Sequence, residues 1–554
     1  MTDEIIKKMT LREKIGQLCV PILQSDKISD DLKIMIEELN IGALRYCPDA
    51  EYDNSSRVVG KPNKYFTPDE TADFINSLQK LAMNRRHKNP LLITVDQEGS
   101  TRCDIDRAGA MVFSGHMAFG IADDLKLSYD IAKSMAEEFK SMGINTVQSP
   151  ILDVLKYEGR KTIKSASFGM VPDKVAALAS CMHKGYNDGG LISIAKHFPG
   201  YGSIATDAHK GTARIEKNID ELEKEDLVPF KRLINEGLEA IMIGHVIVEA
   251  IDSSAPATLS EKVVSGLLRK KLGFDGVVMT DAMRMRAIQD NYGTGKATVM
   301  AILAGCDLVL LRGDKDHFYE GYNALLSAAE NGEISEERIN ESVKRIFKLK
   351  EKANLFENPY ADGKKALETV GCEKHRKLLC DLSEKSVSVI RGKNLPIRPD
   401  EKILAITVEP QKIASAMDDE QSVDMLPKAL SDYCENVTTL ITKLNPDDAD
   451  IEKALQMSKD ADIIVFGSCD AILYENQGVL AKKLFETGKT LVVVAMNSPF
   501  DIEKIRFAKN YICTYGVSAQ WIKTAAKSIF GKRTANAEPF GELKKLLEGE
   551  DNNV

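Results

Sequence analysis

Residues 91–96 read Leu-Leu-Ile-Thr-Val-Asp, a short apolar run that ends on an acidic residue. A run of this length predicts a buried strand, and the aspartate stands where that strand leaves the core. The pattern recurs along the chain, and the polar residues that follow the other apolar runs are Lys196 and His197, His245, Asp281 and Arg312. Because the carboxyl ends of the strands of a barrel open onto one shared mouth, we expect these side chains to converge there.

Amphipathic helical segments separate these runs through the first two-thirds of the chain, which predicts strand-helix units around a parallel sheet. Thr67 and Glu70 form a capping-box pattern before one such helix, and Thr10 and Glu13 repeat it near the start. The strands predicted for this part are Gly42–Tyr46, Leu91–Val95, Asn145–Ser149, Leu191–Ala195, Ala240–Gly244, Gly276–Thr280 and Asp307–Leu311. They indicate a (β/α)8-type TIM barrel.

The pattern lapses around residues 354–371, where Asn-Pro and Ala-Asp-Gly appear among lysines. We therefore expect a barrel over residues 1–355, a linker over 356–378 and a second α/β domain over 379–554. The strands predicted for the second domain are Val387–Ile390, Ile403–Val408, Val437–Leu440, Ile463–Phe466, Leu491–Ala495 and Tyr511–Cys513. Its segment 467–470 and Glu475 are expected to be plain loop, with a reach to the barrel mouth as the alternative.

Composition narrows the possible partners. The 554 residues carry a net charge of −9, so no global positive field attracts nucleic acid or anionic lipid. No apolar run has the length of a membrane span, and residues 1–4 lack the features of a signal peptide, so we expect no membrane partner and a cytoplasmic location. The ten cysteines contain no Cys-x-x-Cys pair, which favours reduced thiols over a zinc site.

The loop from Lys196 to His209 reads Lys-His-Phe-Pro-Gly-Tyr-Gly-Ser-Ile-Ala-Thr-Asp-Ala-His and carries the most specific signal. No Gly-Lys-Ser/Thr follows its glycines, which argues against a phosphate cradle. Two histidines and a carboxylate leave a metal site open, although their spacing does not fix them on one face. As an acid/base loop the segment is consistent, since Asp207 can orient the imidazole of His209 and raise its basicity.

Taken together, these segments resemble glycoside hydrolase family 3, and within it the branch of bacterial β-N-acetylglucosaminidases that uses an Asp-His acid/base dyad. The resemblance runs in order through the first domain, and the second domain looks like the α/β sandwich that often follows in this family. The matching segments are 10–18, 96–99, 196–209, 256–260, 267–269, 273–281 and 304–307.

The resemblance implies a retaining glycosidase. In it, Asp281 is the nucleophile, His209 the acid/base and Asp207 the residue that orients His209. Asp96, Lys196 and His197 match positions that hold sugar hydroxyls. No metal or organic cofactor is expected for this chemistry.

Three positions depart from the family pattern. Ala166 stands where a sugar-binding arginine is usual, ahead of Ser167 and Phe168, and Tyr201 replaces a loop histidine. Thr101 is an extra residue that displaces Arg102 by one position. Such changes remove charged contacts worth roughly 1–3 kcal/mol each, enough to alter which sugar is preferred.

One of three cations is a candidate to replace the missing arginine or to bind an anionic sugar. They are Arg312, at the end of a long apolar strand, and Arg160 and Lys164, which lie near position 166 in the sequence. Their alternative is a surface salt bridge.

The sequence thus predicts an exo-acting β-N-acetylhexosaminidase that releases terminal N-acetylglucosamine from cell-wall or chitin-derived oligosaccharides, as in peptidoglycan recycling. Its alternatives are a β-glycoside phosphorylase or a β-glucosidase of the same family, and a non-catalytic sugar-binding or sensing protein.

Overall fold

The structure is a computed structural model. It describes residues 2–48, 51–52, 58–60, 66–100, 102–105, 109–205, 213–311, 315–409, 423–533, 536–539 and 541–548.

Eight parallel strands close into a barrel over the first part of the chain, as predicted. Closure between the seventh and eighth strands rests on backbone hydrogen bonds such as Thr280 N–H to Leu308 C=O at 2.9 Å. The first strand is the one that the sequence analysis did not predict. The strands are β1 (Cys19–Leu23), β2 (Ala43–Tyr46), β3 (Leu92–Gly99), β4 (Thr146–Gln148), β5 (Ile192–Phe198), β6 (Ala240–Ile243), β7 (Val277–Thr280) and β8 (Val309–Leu311).

Helices cover the outside of the barrel. Two of them begin at the predicted capping boxes, in which Thr10 pairs with Glu13 and Thr67 with Glu70. The principal helices are Leu11–Gln17, Asp30–Glu37, Pro68–Met83, Met117–Ala122, Leu125–Ser141, Pro172–Asp188, Leu227–Asn235, Thr294–Ala304, Lys315–Glu330 and Glu336–Lys352, with a π-helix at Lys262–Lys271. The shorter elements are helices Thr2–Lys8, Ile219–Lys224 and Arg286–Gln289 and strands Glu51–Tyr52, Val58–Gly60, Arg102–Cys103, Ala213–Ile215, Val246–Val248 and Asp252–Pro256.

A second sheet of six strands follows, and all six lie where the sequence predicts them. Its spatial order is β9, β14, β13, β12, β10, β11, and only the pair β9–β14 is antiparallel. Helices on its faces complete an α/β sandwich. The strands are β9 (Ser388–Gly392), β10 (Ile403–Val408), β11 (Val437–Thr442), β12 (Ile463–Ser468), β13 (Thr490–Ala495) and β14 (Asn510–Cys513), and the helices are Met425–Ser431, Asp448–Ser458, Asn476–Glu486, Ala519–Ile529 and Gly541–Glu548.

Two helices connect the sheets. Gly363–Thr369 packs on the barrel helix Pro68–Met83, and Glu373–Ser386 packs on Leu125–Ser141 and on Ala519–Ile529 of the second domain. The segment 356–378 therefore contains helical structure that contacts the barrel, and the domain boundaries at 355 and 379 stay a prediction.

All ten cysteines are free thiols, and seven of them are buried. In the described ranges, no helix is long and apolar enough to span a membrane, and no group of three or more His, Cys, Asp or Glu side chains is arranged to hold a metal ion.

Candidate active site

The predicted polar side chains at the ends of β3, β5 and β7 do meet at one end of the barrel. Lys196, on β5, is fully buried, and its ammonium lies 2.5 Å from Oδ1 of Asp96 and 2.7 Å from Oε1 of Glu98, both on β3. Asp96 and Glu98 reach the same ammonium because residues two apart on a strand point to the same side.

The charges of this cluster compensate each other. Burial opposes the charged form of Lys196, but the two carboxylates outweigh burial and raise the pKa of the ammonium. Burial raises the pKa of Asp96, and Lys196 opposes this effect. At Glu98 the order reverses, since Lys196 and Arg102 overcome burial and hold the pKa of that carboxyl well below its usual range. The cluster therefore keeps a buried cation at the mouth of the barrel.

Two arginines extend the cluster. Arg102 donates to Oε2 of Glu98 at 3.2 Å, so the displaced arginine of the sequence motif still joins the site. Arg45, at the end of β2, binds Asp104 with two hydrogen bonds of 2.8 and 2.9 Å and lies 3.4 Å from Oδ2 of Asp96. Asp104 also accepts the Asp96 backbone N–H at 2.6 Å, which fixes the backbone of Asp96.

His197 is held by a buried carboxylate. Its Nδ1 lies 2.9 Å from Oδ2 of Asp153, whose other oxygen accepts the Tyr201 N–H at 2.6 Å. The Tyr201 ring stacks on the imidazole, with centroids 5.0 Å apart. Gly244 makes room for this stack, because a Cβ at that position would lie 2.5 Å from the Tyr201 ring. Tyr201 thus occupies the place of the missing loop histidine as a stacking partner of His197.

The electrostatic surroundings favour a protonated His197. Burial lowers the pKa of its imidazole, but the charge and hydrogen bond of Asp153 outweigh burial, and the charge of Asp281 adds to them, so the pKa is raised. A neutral His197 instead would donate from Nδ1 to Asp153 and present Nε2 as an acceptor.

Asp281 follows β7 directly and is half-buried. Its backbone N–H donates to the Ile243 carbonyl of β6 at 3.0 Å, and its Oδ1 accepts the Ala282 N–H at 2.7 Å. Both bonds tie the carboxylate to the rigid end of the barrel, where a fixed position relative to a bound sugar is possible.

Three predicted site residues, Asp207, His209 and Arg312, lie outside the described residues, as does Thr101. His245 has a structural role instead, because Nδ1 lies 2.8 Å from the Thr258 hydroxyl and Nε2 lies 3.1 Å from the Ala282 carbonyl.

A cavity adjoins the Lys196 cluster on the side of the second domain. Ala166 lines it, so the space of the missing arginine is open here. Its lining residues come from three segments, which are Glu98 to Arg102 after β3, Ile163 to Ala166 after β4, and Asn497 after β13, together with Gly115. The second domain therefore supplies part of the cavity wall.

Two ion pairs join the domains at this wall. Lys164 Nζ lies 2.7 Å from Oδ2 of Asp470, so Asp470 reaches the barrel mouth, which the sequence analysis held to be the less expected outcome. Arg160 forms a two-point ion pair with Glu503 at 2.7 and 3.4 Å. Both cations are thus engaged in interdomain ion pairs, the alternative that the sequence analysis named for them.

Asn497 completes the junction. Its Nδ2 donates to both oxygens of Asp470 at 3.1 and 3.0 Å, and its Oδ1 accepts the Ser100 hydroxyl at 3.0 Å. Ser100, Lys164 and Asp470 all have positive φ, at 55°, 53° and 59°. Such left-handed conformations of residues other than glycine cost about 1–3 kcal/mol each and persist only where the surrounding contacts impose them. The contacts between the domains therefore fix the shape of the cavity wall.

Several functional residues escaped the sequence analysis. Glu98 was detectable, because it lies two residues after Asp96 on the same predicted strand. Arg45, Asp153 and Asn497 carried no comparable local signal, since each contacts the site from a different segment.

The arrangement offers a carboxylate at a rigid strand end, a buried cation, a polarised imidazole and several carboxylate acceptors around one opening. Carboxylates and cations of this kind bind sugar hydroxyls with charge-assisted hydrogen bonds.

Comparison with known proteins supports the same assignment. The sequence profile of the Glycosyl hydrolase family 3 N terminal domain matches residues 10–349. The chain is 30% identical over 441 residues to beta-hexosaminidase A of Pseudoalteromonas piscicida, a match that spans 75% of this chain and 71% of the relative. It is 35% identical over 305 residues to a beta-hexosaminidase of Nitrosomonas eutropha, across 53% of this chain and 85% of the relative.

Solved structures extend the likeness to the whole chain. A glycoside hydrolase family 3 beta-N-acetylglucosaminidase from Paenibacillus sp. str. FPU-7 superposes with a TM-score of 0.85 at 28% identity, over 95% of this chain and 98% of that one. A beta-glucoside phosphorylase superposes with a TM-score of 0.79 at 20% identity, which shows the shared fold alone.

Proposed function

Because the chain belongs to glycosyl hydrolase family 3, we propose that it is an exo-acting, retaining β-N-acetylhexosaminidase. It removes terminal N-acetylglucosamine from cell-wall or chitin-derived oligosaccharides. Relatives that carry the name beta-hexosaminidase support the reaction, and the Paenibacillus beta-N-acetylglucosaminidase supports the sugar.

The observation that carries the proposal is the position of Asp281. Its carboxylate lies at the end of β7, at the mouth that also holds the Lys196–Asp96 pair, and its charge is felt by His197. A nucleophilic carboxylate needs this combination of a rigid support and neighbouring groups that hold the sugar ring.

In the proposed first step, a carboxylate oxygen of Asp281 forms a bond to the anomeric carbon while the bond from that carbon to the leaving oxygen breaks. His209, oriented by Asp207, donates its proton to the leaving oxygen. In the second step the neutral imidazole of His209 takes a proton from water, whose oxygen displaces Asp281 from the sugar. Two inversions at the anomeric carbon return the β configuration.

Asp96, Lys196 and His197 are proposed to bind the hydroxyls of the sugar, with Arg102 and Arg312 as further contacts. Lys196 and His197⁺ donate hydrogen bonds, whereas Asp96 accepts them. The network through Glu98, Asp153 and Asp104 holds these groups in place before substrate binds, which reduces the ordering that binding requires.

Selectivity among sugars is proposed to depend on the cavity beside Ala166. With no arginine at that position, Lys164, Ser100 and Asn497 are the polar side chains nearest the vacated space. The second domain thereby acts in substrate recognition through Asn497 and through the Asp470 carboxylate that holds Lys164.

The cytoplasm is the proposed compartment, and recycling of peptidoglycan fragments the proposed role. Ten free cysteines, seven of them buried, are consistent with a reducing environment. Cell fractionation with an antibody against the chain tests the location.

The test of the reaction is release of nitrophenol from para-nitrophenyl N-acetyl-β-glucosaminide with and without phosphate. We expect release that does not depend on phosphate, and a β-configured sugar as the first product in a proton NMR time course. Phosphate dependence with formation of a sugar phosphate would instead identify a phosphorylase. Binding of the sugar without turnover of any β-glycoside would identify a sugar-binding protein.

A further inference from the structure

The opposite end of the barrel holds a closed ring of hydrogen-bonded side chains, here called the Lys350 ring. It consists of Gln17, Asn40, Arg85, Asn89 and Lys350. Gln17, Asn40 and Asn89 lie just before β1, β2 and β3, and Lys350 lies on the last barrel helix. The ring therefore joins that helix to the amino ends of the first three strands, remote from the mouth that holds Asp281.

Each member of the ring contacts the next. Lys350 Nζ donates to Oε1 of Gln17 and to Oδ1 of Asn89, both at 2.8 Å. Gln17 donates from Nε2 to the Asn40 carbonyl. Arg85 closes the ring from Nη1, which lies 2.8 Å from Oδ1 of Asn40 and 3.3 Å from the Asn89 carbonyl.

The ring contains two buried cations and only neutral acceptors. Lys350 is 0% exposed and Arg85 is 8% exposed. None of the hydrogen bonds that either cation makes in the described part of the chain goes to a carboxylate. A buried charge is costly unless an opposite charge accompanies it, and an arginine cannot shed its proton to avoid this cost.

Three buried donor nitrogens of the ring also have no hydrogen-bond partner among the described residues. They are Nε and Nη2 of Arg85 and Nδ2 of Asn89. Lys350 uses two of its three ammonium protons on neutral oxygens. Buried donors are almost always satisfied in proteins, so unfilled donors on two side chains next to two cations indicate a missing acceptor.

We propose that the Lys350 ring binds a small monovalent anion of halide size, held by Arg85, Asn89 and Lys350. The anion supplies the charge that the ring lacks and accepts the unfilled N–H groups. Its binding locks the last barrel helix onto the first three strands.

The electrostatics of the empty ring are consistent with this role. Burial lowers the pKa of Arg85 to about 9, and burial together with the charge of Arg85 lowers the pKa of Lys350 well below its usual range. The carboxylate that opposes this effect at Arg85 is that of Glu37, on an exposed turn of the helix Asp30–Glu37. Glu37 is therefore the rival source of negative charge, and the experiment has to separate it from a free anion.

Diffraction from crystals of the full chain grown or soaked in sodium bromide tests the site directly. We expect an anomalous bromine peak within hydrogen-bond distance of Arg85 and Lys350, which disappears in Lys350→Met. Density for water alone inside the ring, with no anomalous peak, overturns the proposal.

Thermal unfolding tests the same site in solution. Sodium chloride is compared with sodium gluconate at equal ionic strength, since gluconate is too large for the ring. We expect Tm to rise by about 2 °C for each tenfold increase in chloride above the dissociation constant, and not to rise in gluconate.

Lys350→Met should abolish this difference, whereas Lys348→Met, which removes an exposed charge from the same helix, should keep it. Glu37→Gln should also keep it. A chloride dependence that survives in Lys350→Met, or equal stabilisation by the two salts, would contradict the proposal. Loss of stability in Glu37→Gln without any dependence on chloride would show that Glu37 supplies the counter-charge.

Discussion

The ammonium of Lys164 lies 2.7 Å from Oδ2 of Asp470, so a side chain of the second domain neutralises a cation in the wall of the cavity beside the Lys196 cluster. Both partners are largely buried, with side-chain exposures of 12% and 5%. Removal of one partner from such a pair leaves an uncompensated charge and costs about 3–5 kcal/mol. The pair therefore couples the domain contact to the shape of the site.

Lys164→Met should change the choice of sugar. We expect the ratio of kcat/KM for para-nitrophenyl N-acetyl-β-glucosaminide over the matching β-glucoside to change by roughly tenfold, which corresponds to the loss of one polar contact. Arg160→Met is the matched control, because it breaks the other interdomain ion pair without altering the cavity lining. An equal change in both variants would mean that domain contact alone, and not the cavity, sets the ratio.

Asp281→Asn should abolish turnover while leaving the fold intact. We expect kcat to fall by roughly 10⁴-fold, the size of loss seen when a residue of a catalytic group is removed. Steady-state kinetics measure the loss, and circular dichroism checks the fold. Asp290→Asn, an exposed aspartate close by in the sequence, should retain activity. Substantial turnover by Asp281→Asn would remove this residue from the role of nucleophile.

His209→Ala should affect substrates according to their leaving groups. A poor leaving group, such as a second sugar, requires a proton from His209, whereas an activated nitrophenolate leaves without one. We expect a larger fall in kcat/KM for chitobiose than for the nitrophenyl glycoside, and a smaller version of the same difference for Asp207→Asn. Equal losses on both substrates in His209→Ala would argue against an acid role.

Asp153→Asn should shift the pH profile through His197. Burial lowers the pKa of the imidazole, and the Asp153 carboxylate outweighs burial, so the variant should have a lower pKa at His197. Where the protonated imidazole binds the sugar, affinity is lost as pH rises through this pKa. The alkaline limb of kcat/KM should therefore begin at lower pH in Asp153→Asn. His197→Gln should lack that limb, and an unchanged limb in Asp153→Asn would exclude His197 as its source.

Asp501→Asn should change how stability depends on pH. Asp501 is fully buried, and burial together with the charge of Asp470 raises its pKa to about 7. The native state therefore keeps a proton that the unfolded state releases near pH 4, so stability falls as pH rises between about 4 and 7 and is then constant. The wild-type protein should lose up to a few kcal/mol across this range relative to the variant, measured by urea unfolding. Parallel pH profiles would show that Asp501 titrates normally.

Much of the architecture was determined by local sequence. Short apolar runs between amphipathic segments predicted seven of the eight barrel strands and all six strands of the second sheet. Two capping boxes, at Thr10 and Thr67, marked the starts of helices that the structure contains. These features follow from spacing and side-chain type, which act within a few residues. The strand Cys19–Leu23 was not predicted.

Tertiary structure decided the surroundings of the site. The sequence predicted that Asp96 and Lys196 belong together, but it carried no sign that Asp153 binds His197, that Arg45 fixes Asp104, or that Asn497 closes the cavity. These contacts join segments far apart in the chain, for example 100 positions for Asp96 with Lys196 and 306 for Lys164 with Asp470. The residue types at strand ends follow from local pattern, whereas their partners depend on barrel closure and domain packing, because a hydrogen bond requires a distance that only the folded chain sets.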